Sequence, residues 1–106
     1  MSELEGDSKT WAFKGAKVLW PADMPDDILE DAVTIAKKAM KDHEDFENEA
    51  VEIAKDVKKY MDEKWEPYWH VFLGKSFGCH TVHEKNWFVY FTFEDTKVSF
   101  LIYKSS

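Results

Sequence analysis

Thiol and imidazole groups crowd together in Cys79-His80-Thr81-Val82-His83. Side chains of these types bind zinc, or pair as nucleophile and base. Either chemistry needs the groups to converge. Zinc holds its ligand atoms at about 2.0–2.3 Å, and a base must lie within hydrogen-bond reach of its nucleophile. The run from Phe77 to His83 is rich in residues that favour strands. On a strand, which rises about 3.3 Å per residue, Cys79 and His83 share a face about 13 Å apart, and His80 points the other way. The spacing argues against a metal centre and against a catalytic dyad. The chain also carries no glycine-rich phosphate loop, no G-x-S-x-G and no H-E-x-x-H. No catalytic residue, metal or cofactor is expected.

The elements that must carry this stretch are read from its flanks. From Trp69 to Tyr90 the chain is aromatic and β-branched, it follows Pro67, and Gly74 and Gly78 bracket Phe77. Trp69 to Leu73 reads as a strand, with Gly74-Lys75 as a turn or crossing before a second strand, Phe77 to His83. That second strand is too polar to be fully buried and too β-prone to be a loop. An edge of this kind is a template for another strand, from a sister subunit or from a peptide. Trp87 to Phe93 alternates, with Trp87, Val89, Phe91 and Phe93 on one face and Phe88, Tyr90 and Thr92 on the other. Glu94 to Lys97 is a polar hairpin loop, and Val98 to Tyr103 is the last strand.

Two helices precede the strands. Asp23-Met24-Pro25-Asp26-Asp27 opens the first, with proline in its first turn and aspartates at the positive end of the dipole. Ile28, Ala32, Ile35, Ala36 and Ala39 form its apolar stripe. The second is expected from Phe46 to about Tyr60, with Ala50, Ile53, Ala54, Val57 and Met61 inward and Lys55, Lys58 and Lys59 in solvent. The short connection around His43 to Asp45 makes the two antiparallel. Before them, residues 1–10 read as a polar tail. Trp11-Ala12-Phe13 lies outside any obvious element, padding a seam of the chain or meeting a partner. Lys17 to Trp20 is a short strand stopped by Pro21.

At 106 residues, 44% hydrophobic and 16% aromatic, the chain reads as one globular domain. Helices in one block and strands in another give an α+β fold. A net charge of −7 argues against nucleic acid and anionic membrane surfaces. No apolar run is long enough for a membrane span. The acidic N-terminus is not a signal peptide, and a single cysteine fits a reducing cytosolic compartment.

A set of residues resembles the small cytoplasmic dynein light chain family, the eight-kilodalton class. It comprises Ala22-Asp23-Met24, the Tyr60 to Pro67 lead-in, Trp69-His70 and Gly74-Lys75-Ser76-Phe77-Gly78. It continues with His83-Glu84, Phe88-Val89-Tyr90-Phe91 and Tyr103-Lys104-Ser105. The resemblance covers residues 16–106, with residues 1–15 as an extension expected to be flexible. It implies two antiparallel helices on a mainly antiparallel sheet, in a strand-swapped homodimer. The strand around Phe77 to Thr81 would cross to the partner, with His70, Phe77, Thr81 and Ser105 at the dimer interface. Two grooves would each take an extended peptide as an added strand. Each would be lined by Lys75, Ser76, Phe77, Gly78, Cys79, His80, Thr81, Val82 and His83, with Phe88, Tyr90 and Leu101 beneath. The implied role is a non-catalytic light chain of the dynein motor, in the cytoplasm on microtubules. Its partners would be the dynein intermediate chain or other proteins with extended motifs.

This chain departs from the family pattern in places. A residue is inserted near His43 to Phe46, and the hairpin at Glu94 to Lys97 is longer. Ala50-Val51 stands where the family carries a Glu-Lys pair that receives a glutamine of the partner peptide. Cys79 and His80 replace a small hydroxyl residue and a tyrosine. Three alternatives stay open: a small-ligand pocket under the strands around Trp87 and Phe91, a dimerisation hub unrelated to dynein, and a dimerisation element whose groove is filled by Trp11 and Phe13.

Overall fold

The computed structural model describes residues 10–75 and 87–105. Five strands and two helices follow in the order β1 (Thr10–Phe13), β2 (Ala16–Asp23), α1 (Asp26–Asp42), α2 (Phe46–Trp65), β3 (Trp69–Lys75), β4 (Phe88–Phe93) and β5 (Val98–Lys104). The strands form one antiparallel sheet ordered β1-β2-β4-β5-β3. The expected α+β architecture is present.

Alternation places the core on one side of the sheet. Val89, Phe91, Phe93, Val98, Phe100 and Ile102 are buried there, and the rings of Phe91, Phe93 and Phe100 pack at 5.4–5.8 Å. α1 and α2 supply the other half of the core. The buried stripe of α1 is wider than expected, adding Leu29 and Val33 to Ile28, Ala32, Ala36 and Ala39, while Ile35 is only half-buried. A helix on a sheet buries a broad face rather than a narrow seam. In α2, Ile53, Val57 and Met61 are fully buried.

Several boundaries differ from the sequence reading. Trp11-Ala12-Phe13 belongs to a strand, because Lys14 (φ 52°) and Gly15 (φ 84°) make a two-residue turn that pairs β1 with β2. β2 continues through Pro21 to Asp23. Its register shifts between Leu19 and Asp23, so a residue without an N–H is accommodated there. Pro25 sits at the N-cap of α1, just ahead of the first turn. α2 runs five residues past Tyr60 to Trp65. Its last turns are held by Asp31 of α1, which accepts from Tyr60 Oη at 3.0 Å, Trp65 Nε1 at 3.0 Å and Lys64 Nζ at 2.9 Å. Gly74-Lys75 is not a turn: both residues lie inside β3, opposite Ser99 and Val98. Trp87 precedes β4 and stacks on Trp69 at 6.3 Å.

Candidate functional site

Among the described residues β3 is an edge strand, and its backbone directions follow from one bond. The Ser105 N–H donates to the Tyr68 carbonyl at 2.9 Å. In an antiparallel ladder, residues turned toward the partner strand alternate with residues turned away. His70, Phe72 and Gly74 therefore bond to β5, while Trp69, Val71, Leu73 and Lys75 direct N–H and C=O outward. Asp62 Oδ1 accepts the first of these N–H groups, from Trp69, at 2.8 Å. None of the other described residues pairs with the rest of this edge as a strand.

α2 runs beside the same edge. Asp62 marks its β3 side, and helical spacing puts Val51, Ala54 and Lys58 on that flank. Val51 is 66% exposed. The opposite flank, with Glu49, Asp56 and Tyr60, makes the bonds to His43 and α1. Lys58 is held by Asp62 at 2.6 Å. α2 also leaves helical geometry at Glu49 (φ −116°, ψ 19°), directly before Ala50 and Val51.

The outer face of the sheet, away from the helices, is aromatic. The register aligns Phe88 with Tyr103 and His70, and Tyr90 with Leu101 and Phe72. The His70 ring stacks on Tyr103 at 5.0 Å, and Phe72 lies parallel to Tyr103 at 6.2 Å with its side chain in solvent. His70 Nε2 lies 3.0 Å from Ser105 Oγ.

Of the expected interface residues, His70 and Ser105 are thus in contact. Phe88, Tyr90 and Leu101 share their face, and Lys75 ends β3. Ser76, Phe77, Gly78, Cys79, His80, Thr81, Val82 and His83 lie outside the described residues. Phe72 and Asp62 are not among the site residues expected from the sequence, whereas Val51 is at the position the family resemblance singles out. Phe72 was findable, because it stands two residues beyond His70 on the same strand face. Asp62 was not, since its role appears only when the chain folds back from α2 into β3. One alternative is corrected. Phe91 is fully buried against Phe93 and Phe100, so core fills the space assigned to a ligand pocket. β1 lies at the far edge of the sheet from β3, and Phe13 packs on the core there, while most of the groove that the other alternative assigns to it lies outside the described residues.

Electrostatics around the site centre on the helix pair. Partial burial pushes the Asp31 carboxyl up, but the bonds from Lys64, Trp65 and Tyr60 outweigh it and hold the group below its ordinary value. Asp31 in turn raises the Lys64 ammonium. Among the described residues, no group of three or more His, Cys, Asp or Glu is arranged to hold a metal ion.

Two helices on a five-stranded sheet, with an aromatic outer face and with one edge of β3 unpaired among the described residues, define a small scaffold of the light-chain type. The chain belongs to the dynein light chain family: the model of that family described as dynein light chain type 1 matches residues 16–105. It is 40% identical to a dynein light chain of Schistosoma mansoni over 88 residues, covering 83% of this chain and 92% of that one. It is 38% identical to cytoplasmic dynein light chain 1 of Saccharomyces cerevisiae over 93 residues, 88% of this chain and 95% of that one. The fold is that of the dynein light chain-like domain of the Fasciola hepatica calcium binding protein FhCaBP2. The TM-score is 0.76 at 20% identity, with 90% of this chain and 96% of that chain covered.

Proposed function

We propose that this protein is a non-catalytic, homodimeric light chain that takes extended partner segments as added β-strands. It would serve the dynein motor in the cytoplasm, with the dynein intermediate chain or another protein bearing an extended motif as partner. The observation that carries the reading is the β3 edge, where Val71, Leu73 and Lys75 direct backbone groups outward beside α2. The sister subunit's crossing strand would gain main-chain bonds there, and the partner segment would add in turn to that strand, with side-chain pockets supplying the choice. The aromatic face around His70, Phe72 and Tyr103 supports self-association. Its apolar rings would leave solvent on pairing, and a twofold contact uses the same patch twice. The segment from Phe77 to Thr81 would cross to the sister subunit. Dimerisation lets one light chain grip two partner chains, with the gain coming from effective concentration.

The test is sedimentation equilibrium, followed by titration with extended peptides from a peptide array. A dimer that binds such peptides with stoichiometry one per subunit is expected. A monomer at micromolar concentration, or a dimer that retains no peptide from the array, overturns the reading.

A further inference from the structure

His43 stands at the joint between the helices. It follows the last residue of α1, its backbone N–H donates to the Ala39 carbonyl at 3.0 Å, and its side chain is 24% exposed. Nδ1 lies 3.0 Å from Glu49 Oε1, and Nε2 lies 2.9 Å from Asp56 Oδ2. The two carboxylates are two turns apart on the α1-facing side of α2, and Glu49 is the residue at which α2 leaves helical geometry. An ionised carboxylate only accepts. A neutral imidazole has one N–H, so it serves one of these carboxylates and turns a lone pair on the other. The imidazolium serves both.

We propose that the His43 imidazolium is a latch fastening the opening turns of α2 to the end of α1, and that the latch opens when the ring loses its proton. The surroundings agree with this. On α1, Asp42 is paired with Lys38 at 2.9 Å, and Lys41 lies one turn from the cap. On the connection stand Glu44 and Asp45, and on α2 Glu52 and Lys59 flank Glu49 and Asp56 by helical spacing. Acids outnumber cations around the ring. The bond to Asp56, opposed by partial desolvation and aided by Glu49, raises the His43 pKa above its ordinary 6.5. A raised folded-state pKa means that the latch contributes fully below 6.5 and is lost as pH rises through the folded value. Ala50 and Val51 follow Glu49 directly, so an open latch frees the part of α2 that stands beside the end of β3.

The latch is read without any partner, so its test is independent of peptide binding. NMR of the imidazole nitrogens follows the titration of His43, and amide exchange corrected for intrinsic rate follows residues 47–53. Both nitrogens should carry protons below the ordinary value, with a titration point above the free-histidine value of about 6.5. Protection at residues 47–53 should be lost as pH rises through the His43 titration point, while the middle of α1 stays protected. In His43→Gln that loss should vanish, because the amide does not titrate. Should His43→Gln fail to fold, Glu49→Gln gives the answer through a titration point moved down toward the free value. A wild-type His43 that titrates at or below the free value overturns the latch. So does the same pH-dependent loss of protection in His43→Gln, or an unmoved titration point in Glu49→Gln.

Discussion

His70 Nε2 and Ser105 Oγ meet at 3.0 Å although the two residues are 35 apart in the chain. Pairing of β3 with β5 brings them together. His70 lies opposite Tyr103 and stacks on its ring, and β5 ends one residue before Ser105. The bond sits on the aromatic outer face of the sheet, so a change at Ser105 is felt by the imidazole.

Ser105→Glu should therefore disturb self-association more than folding. The new carboxylate would lie among His70, Tyr103 and Phe72, and twofold symmetry would double it across the proposed seam. Phosphorylation of the same hydroxyl would bring about −1.5 to −2 charges. Sedimentation at low micromolar concentration should show a monomer with an unchanged far-ultraviolet dichroism spectrum. An unchanged dimer constant would remove the C-terminus from the seam.

The two backbone directions of β3 separate docking from folding. Val71→Pro removes an outward N–H and no bond to β5, so folding should lose only the partial packing of a valine, about 1 kcal/mol. Dimerisation and peptide binding should be abolished, because proline cannot donate to an added strand. Phe72→Pro instead removes a ladder bond to Leu101 and should cost the fold about 1–3 kcal/mol. Chemical denaturation beside a binding titration measures both. Wild-type binding by Val71→Pro would show that this edge is not the docking line.

Asp31 sets an acid limb on stability. Its folded pKa lies below the ordinary 3.8, so its contribution is whole above that value and is lost as pH falls through the folded one. Asp31→Asn should flatten this limb. Asp31→Ala should cost about 2–3 kcal/mol at neutral pH, since Trp65 Nε1, Tyr60 Oη and Lys64 Nζ all lose their acceptor. Urea unfolding at several pH values reads both. An acid limb in Asp31→Asn equal to wild type would assign it to another group.

Ala50→Glu with Val51→Lys installs the charged pair that the family resemblance implies at the start of α2. Val51 is exposed on the β3 flank and Ala50 is half-buried, so Val51→Lys should leave folding intact and Ala50→Glu should cost it little. Affinity for a glutamine-containing peptide should rise by up to about 1.5–3 kcal/mol, one hydrogen bond to a charged group. Calorimetry of both proteins against that peptide and its alanine variant decides the matter. Four equal affinities would mean that α2 does not read this side chain.

Much of the fold was legible because it rests on periodicity. Ile53, Val57 and Met61 recur at helical spacing and Val89, Phe91 and Phe93 alternate, and all six are buried, while Ala50 and Ala54, expected on the same stripe of α2, are only half-buried. The ends of elements were less legible, because distant partners set them. Tyr60 does not end α2, since Asp31 on the other helix holds one more turn and a half. Pro21 does not stop β2, since the register shifts around it.

Residue types and their order alone determined the α+β class, part of the inward face of each helix, the inward face of β4, the acidic balance, and the place of His70 and Ser105 among the motifs of a family. These are properties that a residue carries along the chain by its size, charge and spacing. Tertiary structure alone decided that Val71, Leu73 and Lys75 turn their backbones outward, because that depends on which residue of β5 each neighbour faces. It also decided that Asp62 caps the edge at Trp69 and that His43 reaches Glu49 and Asp56 at once. Such bonds join residues whose separation in sequence bears no relation to their distance in space, and only packing of the helices on the sheet brings donor to acceptor.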